Sequence, residues 1–207
     1  LSKSLIKKEI SKQINKWIVI INLPIFIIMI FFPGAVINLF FGREYLAAAN
    51  SLRLVTIGSM LITCMFAISN NLLYMKGKSK IILGNIVLTT AINIILSIIL
   101  IKYYGIVGVA MGAMIGSIIL SILAFIECIY YTKINPLKKD LIKIILISLI
   151  PTVLLVIFKN MIPLTKLNVV LIGFSYLVIY VIMLIITKCF DENDIMIIKA
   201  IKKKIFG

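Results

Sequence analysis

Few side chains in this sequence can do chemistry, and most of those stand inside apolar runs. Arg53 and Glu127 are charged residues flanked by long hydrophobic stretches. Asn70 and Asn71 sit side by side in similar company, and Asn85, Thr89, Asn93 and Ser97 follow one another at four-residue steps. On a helix each such step drifts by about 40°, so the last set occupies one strip about 120° wide. A polar strip in apolar surroundings must face protein or water, which leaves two readings: helix–helix packing, or the wall of a hydrated cavity. A guanidinium at Arg53 suits a phosphate group, which it grips with parallel N–H donors. Its plainer alternative is a long stem that snorkels to the membrane surface. Glu127 either reaches Lys133 and the interface or serves as a proton- or ion-coupling carboxylate, for which its place near a span end is poor. Arg53, Asn70, Asn71, Asn85 and Asn93 are therefore the candidate substrate-pathway residues.

The chemistry that is missing narrows the field further. There is no histidine, hence no usual general base or proton shuttle near neutral pH. Cys64, Cys128 and Cys189 are too far apart for a CxxC-type metal or redox site. The seven acidic residues form no pair at catalytic spacing except in Asp191-Glu192-Asn193-Asp194. That cluster reads as a helix start, since carboxylates favour the positive end of the helix dipole. No catalytic residue, metal or cofactor is expected, and the chain is not expected to be an enzyme.

The elements that must position these residues follow from composition. Of 207 residues, 62% are hydrophobic and only 14% charged, and mean hydropathy is +1.19. A soluble domain runs at about 45–50% apolar with about 25% charged, and no fold of this size hides such an excess. This is a membrane protein. A helix needs about 20 apolar residues to cross a bilayer, and charges and turn residues divide the chain into six such spans. These are Trp17–Phe41, Leu52–Met75, Ile81–Ile101, Ile106–Tyr131, Leu141–Phe158 and Leu167–Thr187. The runs are too long for barrel strands, so the expected fold is an all-α polytopic bundle of about six transmembrane helices. Pro24 and the Pro33-Gly34 pair should kink the first span and free carbonyls for other partners. Gly108, Gly112 and Gly116 recur at four-residue spacing in the fourth, the pattern that lets helices approach closely in lipid.

The net charge of +15 sorts by side. If residues 1–16 are cytoplasmic, seventeen of the 22 basic residues fall inside, and only Arg43, Lys102, Lys159 and Lys166 fall in outer loops. That asymmetry follows the rule that keeps Lys and Arg inside, and it replaces the nucleic-acid reading that so basic a chain invites. Both ends are then cytoplasmic in the cell membrane. Residues 1–16 form a basic amphipathic segment, with Ile6, Ile10 and Ile14 on one face, and 188–207 a second one. Both are read as interfacial anchors, with partner docking as the alternative. Residues 17–131 hold four spans and 132–187 two more. The chain opens on Leu1 and a charged segment, not a signal peptide, so it is expected to be the C-terminal part of a longer polypeptide.

Several stretches carry a family resemblance. Asn38-Leu39-Phe40-Phe41-Gly42-Arg43-Glu44-Tyr45, through Ala47-Ala48-Ala49 to Ser51-Leu52-Arg53-Leu54, resembles the Phe-Gly-x-x-Tyr…Ala…Leu-Arg-x-Leu signature of polysaccharide flippases. Leu72-Leu73-Tyr74-Met75-Lys76-Gly77-Lys78 resembles their Gly-Lys turn. Asn93-Ile94-Ile95-Leu96 followed by Tyr104-Gly105-Ile106-Val107-Gly108 resembles their paired Asn-Ile and Tyr-Gly-Ile-x-Gly motif. Phe190-Asp191-Glu192-Asn193-Asp194 before a basic helix is similar to the ending of some members. The family is that of the oligosaccharide-lipid and polysaccharide exporters of the multidrug/oligosaccharidyl-lipid/polysaccharide (MOP) superfamily. The resemblance implies a MATE-like fold of two six-helix lobes around a central cavity. This chain would supply the last four helices of the second lobe and two extra C-terminal helices. It implies a transporter that flips lipid-linked oligosaccharide by alternating access. Its partners would be membrane lipids, the lipid-linked substrate and the missing N-terminal lobe, with no nucleic acid. A cation-coupled multidrug exporter of the same superfamily is the nearest alternative. A membrane enzyme or structural subunit of polysaccharide assembly is the alternative from another class.

Overall fold

The computed structural model describes residues 3–133, 139–161, 166–187 and Cys189. Among these there is no strand. The chain forms α1 (Lys3–Phe31), α2 (Pro33–Phe40), a 3-10 turn (Arg43–Ala48), α3 (Ala49–Leu61), a π turn (Ile62–Phe66) and α4 (Ala67–Met75). It continues with α5 (Ser79–Tyr104), α6 (Ile106–Thr132), α7 (Lys139–Met161) and α8 (Lys166–Ile186). Nearly all backbone polar groups are thus paired within helices, as a lipid surrounding demands.

Four stretches of the described residues are long and apolar enough to cross a membrane, or five if the bent α1–α2 pair counts as one span. The architecture is an all-α polytopic bundle. Arg43–Met75, Ser79–Tyr104, Ile106–Thr132 and Leu167–Ile186 match the second, third, fourth and sixth expected spans. The fifth falls in α7, whose described apolar stretch, Lys143–Ile157, is shorter than a full membrane span. The first expected span, 17–41, is not one rod, because α1 and α2 meet at 97°. Pro33 has no N–H to continue the ladder and restricts Phe32 before it, so the helix stops at Phe31 and restarts at an angle. At the other end α1 is continuous from Lys3, so the expected amphipathic segment and the first part of the first span share one helix. The expected amphipathic tail, 188–207, lies outside the described residues apart from Cys189.

Pairings fix the relative directions. Glycines of α6 meet α5 in descending order: Gly108 at Leu100, Gly112 at Ser97, Gly116 at Asn93. The two helices are therefore antiparallel, reversed at Gly105, whose φ of +56° belongs to glycine. Gly58 of α3 meets Ser117, and Leu72 and Leu73 of α4 cluster with Cys128, so α3–α4 runs parallel to α6. α8 returns antiparallel along α1: Gly173 faces Ile28, and the Tyr180 hydroxyl donates to the Ile20 carbonyl at 3.1 Å. That carbonyl is the one Pro24 leaves without a donor four residues on, so a side chain from another helix repairs it. Lys143 at the start of α7 donates to the Thr187 carbonyl beyond α8 at 2.7 Å, which closes the last hairpin.

Two buried clusters hold the bundle. Val19, Leu23, Ile144, Tyr180 and Leu184 belong to the larger, between α1, α7 and α8. Leu72, Leu73, Ile82 and Cys128 form the smaller, where α4, α5 and α6 meet. Elsewhere the surface is apolar to a degree that water does not tolerate. Leu83, Val87, Ile94, Ile95 and Ile98 stand exposed along α5, and Val170, Leu171, Phe174, Val181 and Ile185 along α8. Exposed aromatics gather at the ends: Phe40, Phe41, Tyr45, Tyr103 and Tyr104 at one, Tyr74, Tyr130 and Tyr131 at the other. Such belts mark the two membrane–water interfaces.

Candidate functional site

The break between α1 and α2 creates the site. In an unbroken helix the Ile30 carbonyl would accept from residue 34; here it accepts from Arg53 Nε at 3.0 Å. The chain leaves Phe32 at φ −124°, ψ 45°, and α2 folds across the start of α3, with Gly34 against Leu46 and Ala49. Between these elements lies a cavity of about 330 Å³, lined among others by Phe31, Phe32, Pro33, Asn38, Asn50 and Arg53. That volume falls at the lower end of ordinary small-ligand sites.

Its polar groups are incompletely used. Arg53 commits Nε to the Ile30 carbonyl, and the described residues offer its terminal nitrogens no further partner. The Asn38 Oδ1 is buried without a hydrogen bond, which is costly unless a ligand or water completes it. A guanidinium edge and amides in an aromatic-walled, Pro-broken corner make a place for an oxyanion carrying hydroxyl groups. Helix breaks at membrane depth occur where backbone lines a cavity or is buried in protein.

The other sequence candidates lie elsewhere. Asn85 Nδ2 donates to Glu127 Oε2 at 2.5 Å across α5 and α6. Asn93 packs its Cβ on Gly116, while its Oδ1 accepts from the Ser97 hydroxyl at 3.1 Å. Thr89 is buried and back-bonds to the Asn85 carbonyl. The strip thus lies along the α5–α6 contact, opposite the glycines. Asn70 Oδ1 on α4 is buried without a hydrogen bond, and Asn71 beside it is half-buried. Of the five candidates, only Arg53 lines the cavity. Asn38 and Asn50, its neighbours there, carried one legible signal: they flank the Phe-Gly-Arg-Glu turn just after the Pro-Gly break.

No protein-family model matches the chain, and no solved structure does. It is 28% identical over 203 residues to a protein of Methanocaldococcus jannaschii described as "Uncharacterized membrane protein MJ1068", covering 95% of this chain and 40% of that one. The chain therefore spans about two fifths of the length of the curated relative it matches. That likeness and the bundle of apolar, lipid-length helices lead to the same conclusion: the chain is a multi-pass membrane protein.

Proposed function

We propose that the chain is the C-terminal part of a transporter that flips lipid-linked oligosaccharide or polysaccharide repeat units across the cell membrane by alternating access. The observation that carries the reading is Arg53, set at the break in the first span with an unspent guanidinium edge in a cavity. In transporters, broken helices supply the backbone and dipole groups that hold substrate. On this reading Arg53 grips the phosphate of the carrier lipid, Asn38 and Asn50 meet the sugar-bearing side, and the polyprenyl tail stays in lipid. The other lobe comes from the rest of the polypeptide, because alternating access rocks one half against the other. The ordered motifs over residues 38–117 support the family. The bundle end bearing Lys76, Lys78, Lys80, Lys133 and Lys143 is taken as cytoplasmic. It is a transporter, not an enzyme, and the basic charge serves topology and lipids, not nucleic acid.

A deletion strain tests this. Loss of the gene should pile up lipid-linked oligosaccharide in the cytoplasmic leaflet. The full-length wild type should clear it, and Arg53→Ala should clear it at least about tenfold more slowly, as expected when a charge-assisted contact to phosphate is lost. Unchanged lipid-linked sugars with raised sensitivity to cationic drugs would replace the reading with a multidrug exporter.

A further inference from the structure

We infer that the α4–α5 turn and the end of α6 form a binding site for the headgroup of an anionic phospholipid. Lys76, Lys78 and Lys80 lie within five residues of one another at this turn. The Lys78 Nζ sits 4.8 Å above the centre of the Tyr131 ring, a cation–π contact that ties the turn to the end of α6. Two residues beyond Tyr131, Lys133 occupies the left-handed position after α6, at φ 53° and ψ 26°. Glycine fills that position at least cost, so a lysine there adds a cation at the price of some backbone strain. Among the described residues none of these four lysines has a carboxylate partner. Lys76, Lys80 and Lys133 are exposed, and Lys78 is half-buried.

The backbone adds to the same field. α5 begins at Ser79 without a side-chain cap, and the N–H groups of Ile81 and Ile82 turn back to the Lys78 carbonyl. The N–H groups of Ser79 and Lys80 are left without a partner among the described residues. They stand at the positive end of a 26-residue helix dipole, the arrangement that receives phosphate oxygens.

What makes the ligand a lipid is the surface beside it. Leu83 and Val87 on α5 are exposed, as is Ile126 on α6, just below the lysines. Tyr74 and Tyr130 stand exposed at the level of the headgroups. A headgroup among the lysines would lay its acyl chains down this apolar face. Four cations without a counter-charge among the described residues favour a net-negative headgroup over a zwitterionic one. The inference is independent of which substrate the protein moves.

The test is native mass spectrometry of the full-length protein released from nanodiscs of equal parts phosphatidylglycerol and phosphatidylcholine. Retained lipid should be enriched in phosphatidylglycerol. The variant Lys76→Gln/Lys78→Gln/Lys133→Gln should lose that enrichment, by about fivefold for each lysine removed. The same three positions changed to Arg should keep it. The opposite-end variant Lys102→Gln/Lys159→Gln/Lys166→Gln, which removes equal charge away from this turn, should also keep it. Equal retention of the two lipids, or an equal fall in the opposite-end variant, overturns the site.

Discussion

At the scale of single residues, the polar groups inside the bundle repair what the prolines break. Pro24 frees the Ile20 carbonyl and Tyr180 takes it; the Pro33 break frees the Ile30 carbonyl and Arg53 takes it. In lipid no water can substitute, yet measured interhelical hydrogen bonds average well under 2 kcal/mol. Tyr180→Phe should therefore lower stability by about 1 kcal/mol in reversible unfolding from mixed micelles. An unchanged midpoint would mean that the carbonyl finds another donor. Arg53 was legible as exceptional because a charge within an apolar run needs a reason. Its partner was not, because the carbonyl it meets lies 23 positions away, across a bend whose angle no spacing encodes.

At the scale of elements, α6 organises the bundle. A Cβ on Gly108 would fall 2.2 Å from the Leu100 carbonyl oxygen, and one on Gly112 2.6 Å from the Ser97 hydroxyl. Backbone must move to admit even alanine at Gly108, so Gly108→Ala should cost about 2 kcal/mol. Gly84 of α5 has nothing within 4 Å, and Gly84→Ala should be neutral or stabilising by about 0.5 kcal/mol. Thermal scans in one detergent check both; equal effects would mean that α5 and α6 do not meet along this seam. The glycine spacing made the close approach to α6 readable in advance. The asparagine strip was readable only halfway: its width showed that it avoids lipid, but protein and water satisfy an amide equally. The π turn at Ile62–Phe66 left no trace, since one extra residue per turn changes neither hydropathy nor composition.

At the scale of the whole molecule, the described basic residues divide by end, with Lys76, Lys78, Lys80, Lys133 and Lys143 opposite Arg43, Arg53 and Lys102. The helix directions read from the contacts above place them so, and the proposed orientation, with the five lysines inside, follows the charge rule. Cysteine scanning checks it, because Cys64, Cys128 and Cys189 are all buried. Lys102→Cys should react with a membrane-impermeant thiol reagent on intact cells, and Lys78→Cys only after permeabilisation; the reverse pattern would invert the protein. The proposed activity, flipping of a lipid-linked sugar through Arg53, is open to direct observation. Its most direct measurement places full-length protein in proteoliposomes with a fluorescent lipid-linked oligosaccharide and follows its quenching by an impermeant reductant added outside. Wild type should expose nearly the whole pool, and Arg53→Ala should leave the inner half protected at the rate of empty vesicles. Protection of that half with wild-type protein present would rule that activity out.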